Sequence, residues 1–131
     1  MGRVRLRRLL FLATLVLSAS PAFADESLRL YRSGVVAARK GDLASAFMSL
    51  RDLATDFPNA RHAADALFAT GEYYFLMGDY SDSRAAFIRF VTENPGSKAK
   101  PFAYVYLAEI ARAQSQQELS DRLRKEVVVS E

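Results

Sequence analysis

Apolar residues along the chain follow two different patterns. Leu9 to Leu17 (LLFLATLVL) is a short apolar run interrupted only by Thr14, with Arg3, Arg5, Arg7 and Arg8 before it and Pro21-Ala22-Phe23-Ala24 after it. A basic start, a short apolar core and a small-x-small ending form a signal peptide pattern, expected to span residues 1–24 with cleavage after Ala24. The run falls well short of the roughly 18 apolar residues that a membrane-spanning helix needs, which argues against a permanent anchor. Beyond it, apolar positions are spaced rather than continuous. Leu67, Thr70, Gly71 and Tyr74 fall at i, i+3, i+4 and i+7, and Tyr80, Ser83, Phe87 and Phe90 follow suit with one step adjusted. That is the spacing of one helix face. Period-two alternation is absent from ALFATGEYYFLM, so YYFLMGDY at 73–80 reads as helix, turn and helix rather than a hairpin of strands.

The punctuation repeats. Gly41-Asp42 returns as Gly78-Asp79, an interval of 78 − 41 = 37, and Phe57-Pro58 returns as Asn94-Pro95 at the same interval. Between these landmarks Leu43 aligns with Tyr80, Leu50 with Phe87 and Leu53 with Phe90; upstream, Leu30 aligns with Leu67 and Gly34 with Gly71. Another step sets Tyr104, Leu107, Ala108, Glu109 and Ile110 against Leu67, Thr70, Gly71, Glu72 and Tyr73. Gly78 suits a left-handed position at a helix C-terminus, Asp79 suits the next N-cap, and Pro58 and Pro95 mark where second helices stop. The expectation is an all-α solenoid of about three helix–turn–helix units, near 27–60, 64–97 and 101–131. The third unit fades, because Ser115 replaces the turn glycine and Arg124 stands where Leu50 and Phe87 stood.

This arrangement resembles the tetratricopeptide repeat, whose pattern is an aromatic or Leu, x2-Leu-Gly-x2-Tyr, then Ala-x3-Phe and Pro. The second unit gives Leu67-x2-Thr70-Gly71-x2-Tyr74, Ser83-x3-Phe87 and Pro95; the first gives Leu30-x2-Ser33-Gly34-x2-Ala37, Ala46-x3-Leu50 and Pro58. The third begins with Tyr104-x2-Leu107-Ala108-x2-Ala111. The lengthened connections after Pro58 and Pro95 resemble periplasmic members of that family, namely the Tol–Pal cell-division coordinators and the repeat lipoprotein of outer-membrane protein assembly. The resemblance implies that Leu30, Gly34, Ala46, Leu50, Leu53, Leu67, Gly71, Tyr74, Tyr80, Phe87, Phe90 and Leu107 pack between helices. It also implies that the other face of each first helix lines a concave groove for partner peptides. That face carries Tyr31, Val35 and Arg39 in the first unit, Phe68, Glu72 and Phe75 in the second, and Phe102, Val105, Glu109 and Arg112 in the third. Aromatics rimmed by charge suit an amphipathic helix or extended peptide. The alternative is that they pack with a neighbouring copy or with the terminal helix.

Composition narrows the function. Of 18 Lys+Arg and 15 Asp+Glu, four arginines precede residue 25 and no acids do, leaving a net charge of 14 − 15 = −1 for the processed chain. Basic residues interleave with acids, which argues against a nucleic-acid partner. The sequence has no cysteine, and Asp25 stands where a lipoprotein would carry its lipid-bearing cysteine. The expectation is therefore a soluble periplasmic protein, free of disulfides and stabilised by packing. His62 is the single histidine, in an inter-repeat connection, and reads as a solvated residue rather than a base or ligand. No phosphate loop, nucleophile elbow or metal-ligand spacing appears, so neither enzyme activity nor a cofactor or metal is expected. The tail Gln114–Glu131 carries Leu119, Leu123 and Val127 on one narrow stripe, as a terminal capping helix would. The sequence thus points to an envelope adaptor that binds a protein partner. Alternatives are a self-associating structural repeat and an accessory subunit of an envelope enzyme.

Overall fold

The computed structural model describes residues 21–129. They form α1 (Pro21–Arg39), α2 (Leu43–Asp56), α3 (Ala63–Leu76), α4 (Tyr80–Glu93), α5 (Lys100–Ala113) and α6 (Gln117–Val129), with no strand among them. Most of the expected signal segment lies outside the described residues. Its last four residues, Pro21–Ala24, are the first turn of α1.

The turns inside the three hairpins are alike. In the first, the Gly41 N–H donates to the Ala38 carbonyl and the Asp42 N–H to the Ala37 carbonyl, both at 3.0 Å. In the second, Gly78 and Asp79 donate to Phe75 and Tyr74 in the same way. This double closure satisfies carbonyls that a helix C-terminus leaves unpaired, and it needs a left-handed residue, here Gly41 at φ 78° and Gly78 at φ 76°. The carboxylates of Asp42 and Asp79 then accept from the Ser45 and Asp82 N–H groups, capping α2 and α4. In the third hairpin Ser115 donates to Arg112 and Gln116 to Ala111, so the turn survives without glycine. Ser115 adopts φ 59° to do so. The third unit keeps the backbone geometry that its residues no longer advertise.

α2 and α4 end where expected. Their C-cap residues Phe57 and Asn94, each preceding a proline, leave helical geometry at φ −129° and −128°. The clash of a proline ring with the preceding residue disfavours the helical region there.

Packing follows the same register. α2 lies against α1 and α3, α4 against α3 and α5, and α6 against α5. Glycine lets the two helices of each hairpin approach closely. A Cβ at Gly34 would meet the Leu50 side chain at 2.6 Å, and one at Gly71 would meet the Phe87 ring at 3.0 Å. Leu53, Phe87, Phe90 and Ile110 are fully enclosed, with Leu30, Leu67 and Leu107 beside them. Three expected core residues sit at its margin: Leu50, Tyr74 and Tyr80 are half-buried. Tyr74 meets Phe47 edge-on at 5.0 Å, and Tyr80 leans on Phe75 at 5.6 Å. α6 buries Ser120 completely and half-buries Leu123 and Val127, whereas Leu119, the first residue of the expected stripe, is exposed.

Candidate partner-binding face

The first helices α1, α3 and α5 carry the ten groove candidates, three on α1, three on α3 and four on α5, and two positions are common to all three helices. Each step of 37 takes Tyr31 to Phe68 and Val105, and Val35 to Glu72 and Glu109. The structure treats the three sets differently.

On α3, one residue of the next hairpin covers the candidates. Tyr106 stacks on Phe87 with ring centroids 4.7 Å apart and planes 8° off parallel. Its ring also meets Phe75 at 5.2 Å and Phe68 at 6.1 Å, both edge-on. Its hydroxyl donates to a Glu72 carboxylate oxygen at 2.9 Å. Burial, reinforced by the bond to Glu72 and that group's negative charge, pushes the Tyr106 phenol up to about 12. Phe68 reaches further in, edge-on to Phe87 at 5.2 Å and to Phe90 at 5.1 Å. The expectation that the opposite face alone supplies the core therefore needs correcting. An aromatic ring on α3 is long enough to bridge to α4 and α5, so Phe68 and Phe75 are half-buried packing residues. Replacing both by alanine would remove core contacts rather than cleanly remove a binding surface.

On α1 the set is split. Tyr31 is half-buried and stacks on His62, centroids 3.9 Å apart and planes 7° off parallel. His62 is thus an inter-helix packing residue rather than a solvated one, and its Nδ1 lies 3.5 Å from an Asp65 carboxylate oxygen. Val35 is half-buried and Arg39 is exposed at the end of α1.

α5 presents the open set. Phe102 is 63% exposed and Val105 44% exposed. Glu109 lies beside them, half-buried, and accepts from Arg112 Nε and from Arg124 Nη2 of α6, both at 2.9 Å. The Arg112 bond and charge, seconded by Arg124, hold the Glu109 carboxyl below the usual carboxylate range against an opposing effect of burial. Arg112 and Arg124 are both exposed. Tyr106 and Arg124 contribute here although neither stands among the ten candidates of the sequence. Arg32 and Ala69 stand at the positions equivalent to Tyr106, so the repeat gave no hint of a large ring at that place.

On the other side, a shallow cleft of about 300 Å³ between α2, α3 and α4 is lined by Arg51, Thr70, Tyr74, Asp82 and Arg89 among others. Its two arginines pair with Asp52 and Glu93. Among the described residues no cluster of three or more His, Asp or Glu is placed to hold a metal ion, and no helix is long and apolar enough to cross a membrane.

The family model described as "YfiO: Outer membrane lipoprotein" matches residues 24–130. No curated protein matches the chain.

Proposed function

The chain belongs to the YfiO family of outer membrane lipoproteins, and on that premise we propose that it is a non-catalytic adaptor of the cell envelope. It binds a protein partner through the outward face of its first helices, in envelope assembly or the coordination of cell division. The observation that carries this reading is the open face of α5, where Phe102 and Val105 stand exposed beside Glu109 and Arg112. Large apolar side chains left in water next to paired charges are the usual composition of a partner site. Tyr31, Val35 and Arg39 extend the surface on α1, and the half-buried Phe68, Glu72 and Phe75 lie on α3 between the two.

The protein is exported to the periplasm, with removal of residues 1–24. Cleavage after Ala24 costs the fold little: it removes one turn of α1, whose Phe23 is 61% exposed and touches Phe57 edge-on at 5.9 Å. The test is photo-cross-linking in intact cells from probes placed at Val35, Phe102 and Val105, with Thr92 as control. The reading predicts one envelope protein captured from the first three and not from the last. Equal capture from all four, or none from any, would overturn it.

A further inference from the structure

The 37-residue register shows what each end of the stack is built to meet. Ala66 of α3 and Ala103 of α5 are both fully buried, and the equivalent residue of α1 is Arg29, which is exposed and pairs with Glu26. Likewise Thr70 and Leu107 are buried, whereas Ser33 is exposed. These positions face the preceding hairpin in the second and third units, and in the first unit they are polar. The first face of the described stack is finished for water.

The C-terminal end is not. Positions that face the following hairpin are recognised the same way, as buried early and open in the last unit. Ala54 is buried and Val91 half-buried, yet their equivalent Val128 is 75% exposed. Phe68 is half-buried under Tyr106, yet Val105 is 44% exposed, with Phe102 at 63% beside it. Phe87 carries the stacked Tyr106 ring; its equivalent is Arg124, which with Arg112 shares the single carboxylate of Glu109. Two guanidinium groups on one carboxylate leave the middle of this face positive.

Resting on the adaptor reading above, we infer that the face formed by Phe102, Val105, Glu109, Arg112, Arg124 and Val128 takes an amphipathic α-helix of a partner protein. That helix docks in the place the first helix of a fourth hairpin would occupy. The interface is the one already made twice, by α3 on α2 and by α5 on α4, continued by one step. The occupant therefore carries a small residue at its contact centre, as Ala66 and Ala103 do, apolar residues a turn away, and a carboxylate for Arg112 and Arg124. A second copy of this chain is a poor occupant, because α1 would bring Arg29 to the spot where alanine is enclosed.

The test uses the full chain, isotopically labelled, with two synthetic helical peptides as probes. One has the sequence of residues 99–114, containing Ala103 and Glu109; the other has that of residues 26–40, containing Arg29. The first peptide is expected to shift the amide signals of Val105, Glu109, Arg112, Arg124 and Val128, and the second to shift none. Val105→Asp should weaken the first peptide at least tenfold with an unchanged melting temperature, since Val105 is exposed; Arg124→Glu should weaken it independently. Shifts centred on α1 and α2, equal binding of both peptides, no binding, or an unaffected Val105→Asp would each overturn the inference. So would a dimer in light scattering that Val105→Asp dissolves, which would make a second copy the occupant. Cellular capture from Val35 with no peptide binding would sink this inference alone; peptide binding with no cellular partner would sink the adaptor reading alone.

Discussion

The second and third hairpins share one backbone plan and differ in how it is filled. Between α3 and α4, Gly71 admits the Phe87 ring, Ser83 donates its hydroxyl to the Gly71 carbonyl at 2.9 Å, and Tyr106 closes the outer side. Between α5 and α6 the equivalent positions hold Ala108, Ser120 and Arg124. Ala108 fills the close approach with its own methyl, Ser120 is fully buried with no partner for its hydroxyl, and Arg124 turns out to Glu109. A hairpin packed on both sides can spend large rings on its interfaces. One packed on a single side replaces them with charge and leaves its apolar edge exposed.

Substitutions at paired positions would break or sharpen that contrast. The largest effect is expected at the seam. Tyr106→Ala removes a ring that touches Phe68, Phe75 and Phe87, and should cost about 3 kcal/mol in denaturant unfolding, at the low end for a large aromatic because the residue is half-buried. Val105→Ala, a step away on the open face, should change stability by less than about 0.5 kcal/mol. Next, Gly71→Ala should destabilise by about 1–2 kcal/mol because the new methyl meets the Phe87 ring at 3.0 Å. The reverse change Ala108→Gly should lose about 1 kcal/mol, through helix propensity and a lost contact.

Smaller effects separate the serines. Ser83→Ala forfeits a buried hydrogen bond and should cost about 1 kcal/mol, whereas Ser120→Ala removes an unpaired hydroxyl and should be neutral or slightly stabilising. Ser115→Gly relieves a left-handed serine at φ 59° and should raise stability by about 0.5–1 kcal/mol.

Alkaline pH distinguishes the seam from the rest. Tyr106 has its folded pKa raised from 10.0 to about 12. Its contribution is therefore complete below pH 10 and lost as pH rises from there toward 12. Tyr106→Phe should flatten the loss of melting temperature across that window relative to the parent chain. An identical alkaline profile in the two proteins would refute the raised pKa of Tyr106.

Much of this was legible in the residues. The Gly-Asp pairs, the pre-proline stops and the close-approach glycines each carry a local conformational demand, and all three kinds appear where the 37-residue interval puts them. The candidate face was legible only as a set of equivalent positions. Periodicity says which way a residue points, but not whether a long side chain from the next helix will cover it. Tyr106 covers the α3 set because it stands where the earlier units have Arg32 and Ala69. The third turn was obscured for the opposite reason: serine tolerates a left-handed backbone poorly, so its presence at 115 argued against a turn that the packing of α5 on α6 nonetheless enforces.

The central claim is that the second hairpin is closed on both sides while the third is open on one, and native-state hydrogen exchange of the free full chain measures it most directly. Amides of α4 around Phe87 and Phe90 should exchange only by global unfolding, and those of α6 around Leu123 and Val127 at least about tenfold faster, a gap of about 1.4 kcal/mol. If α6 is protected as strongly as α4, the third hairpin is a closed cap and the open face it presents is not a docking surface.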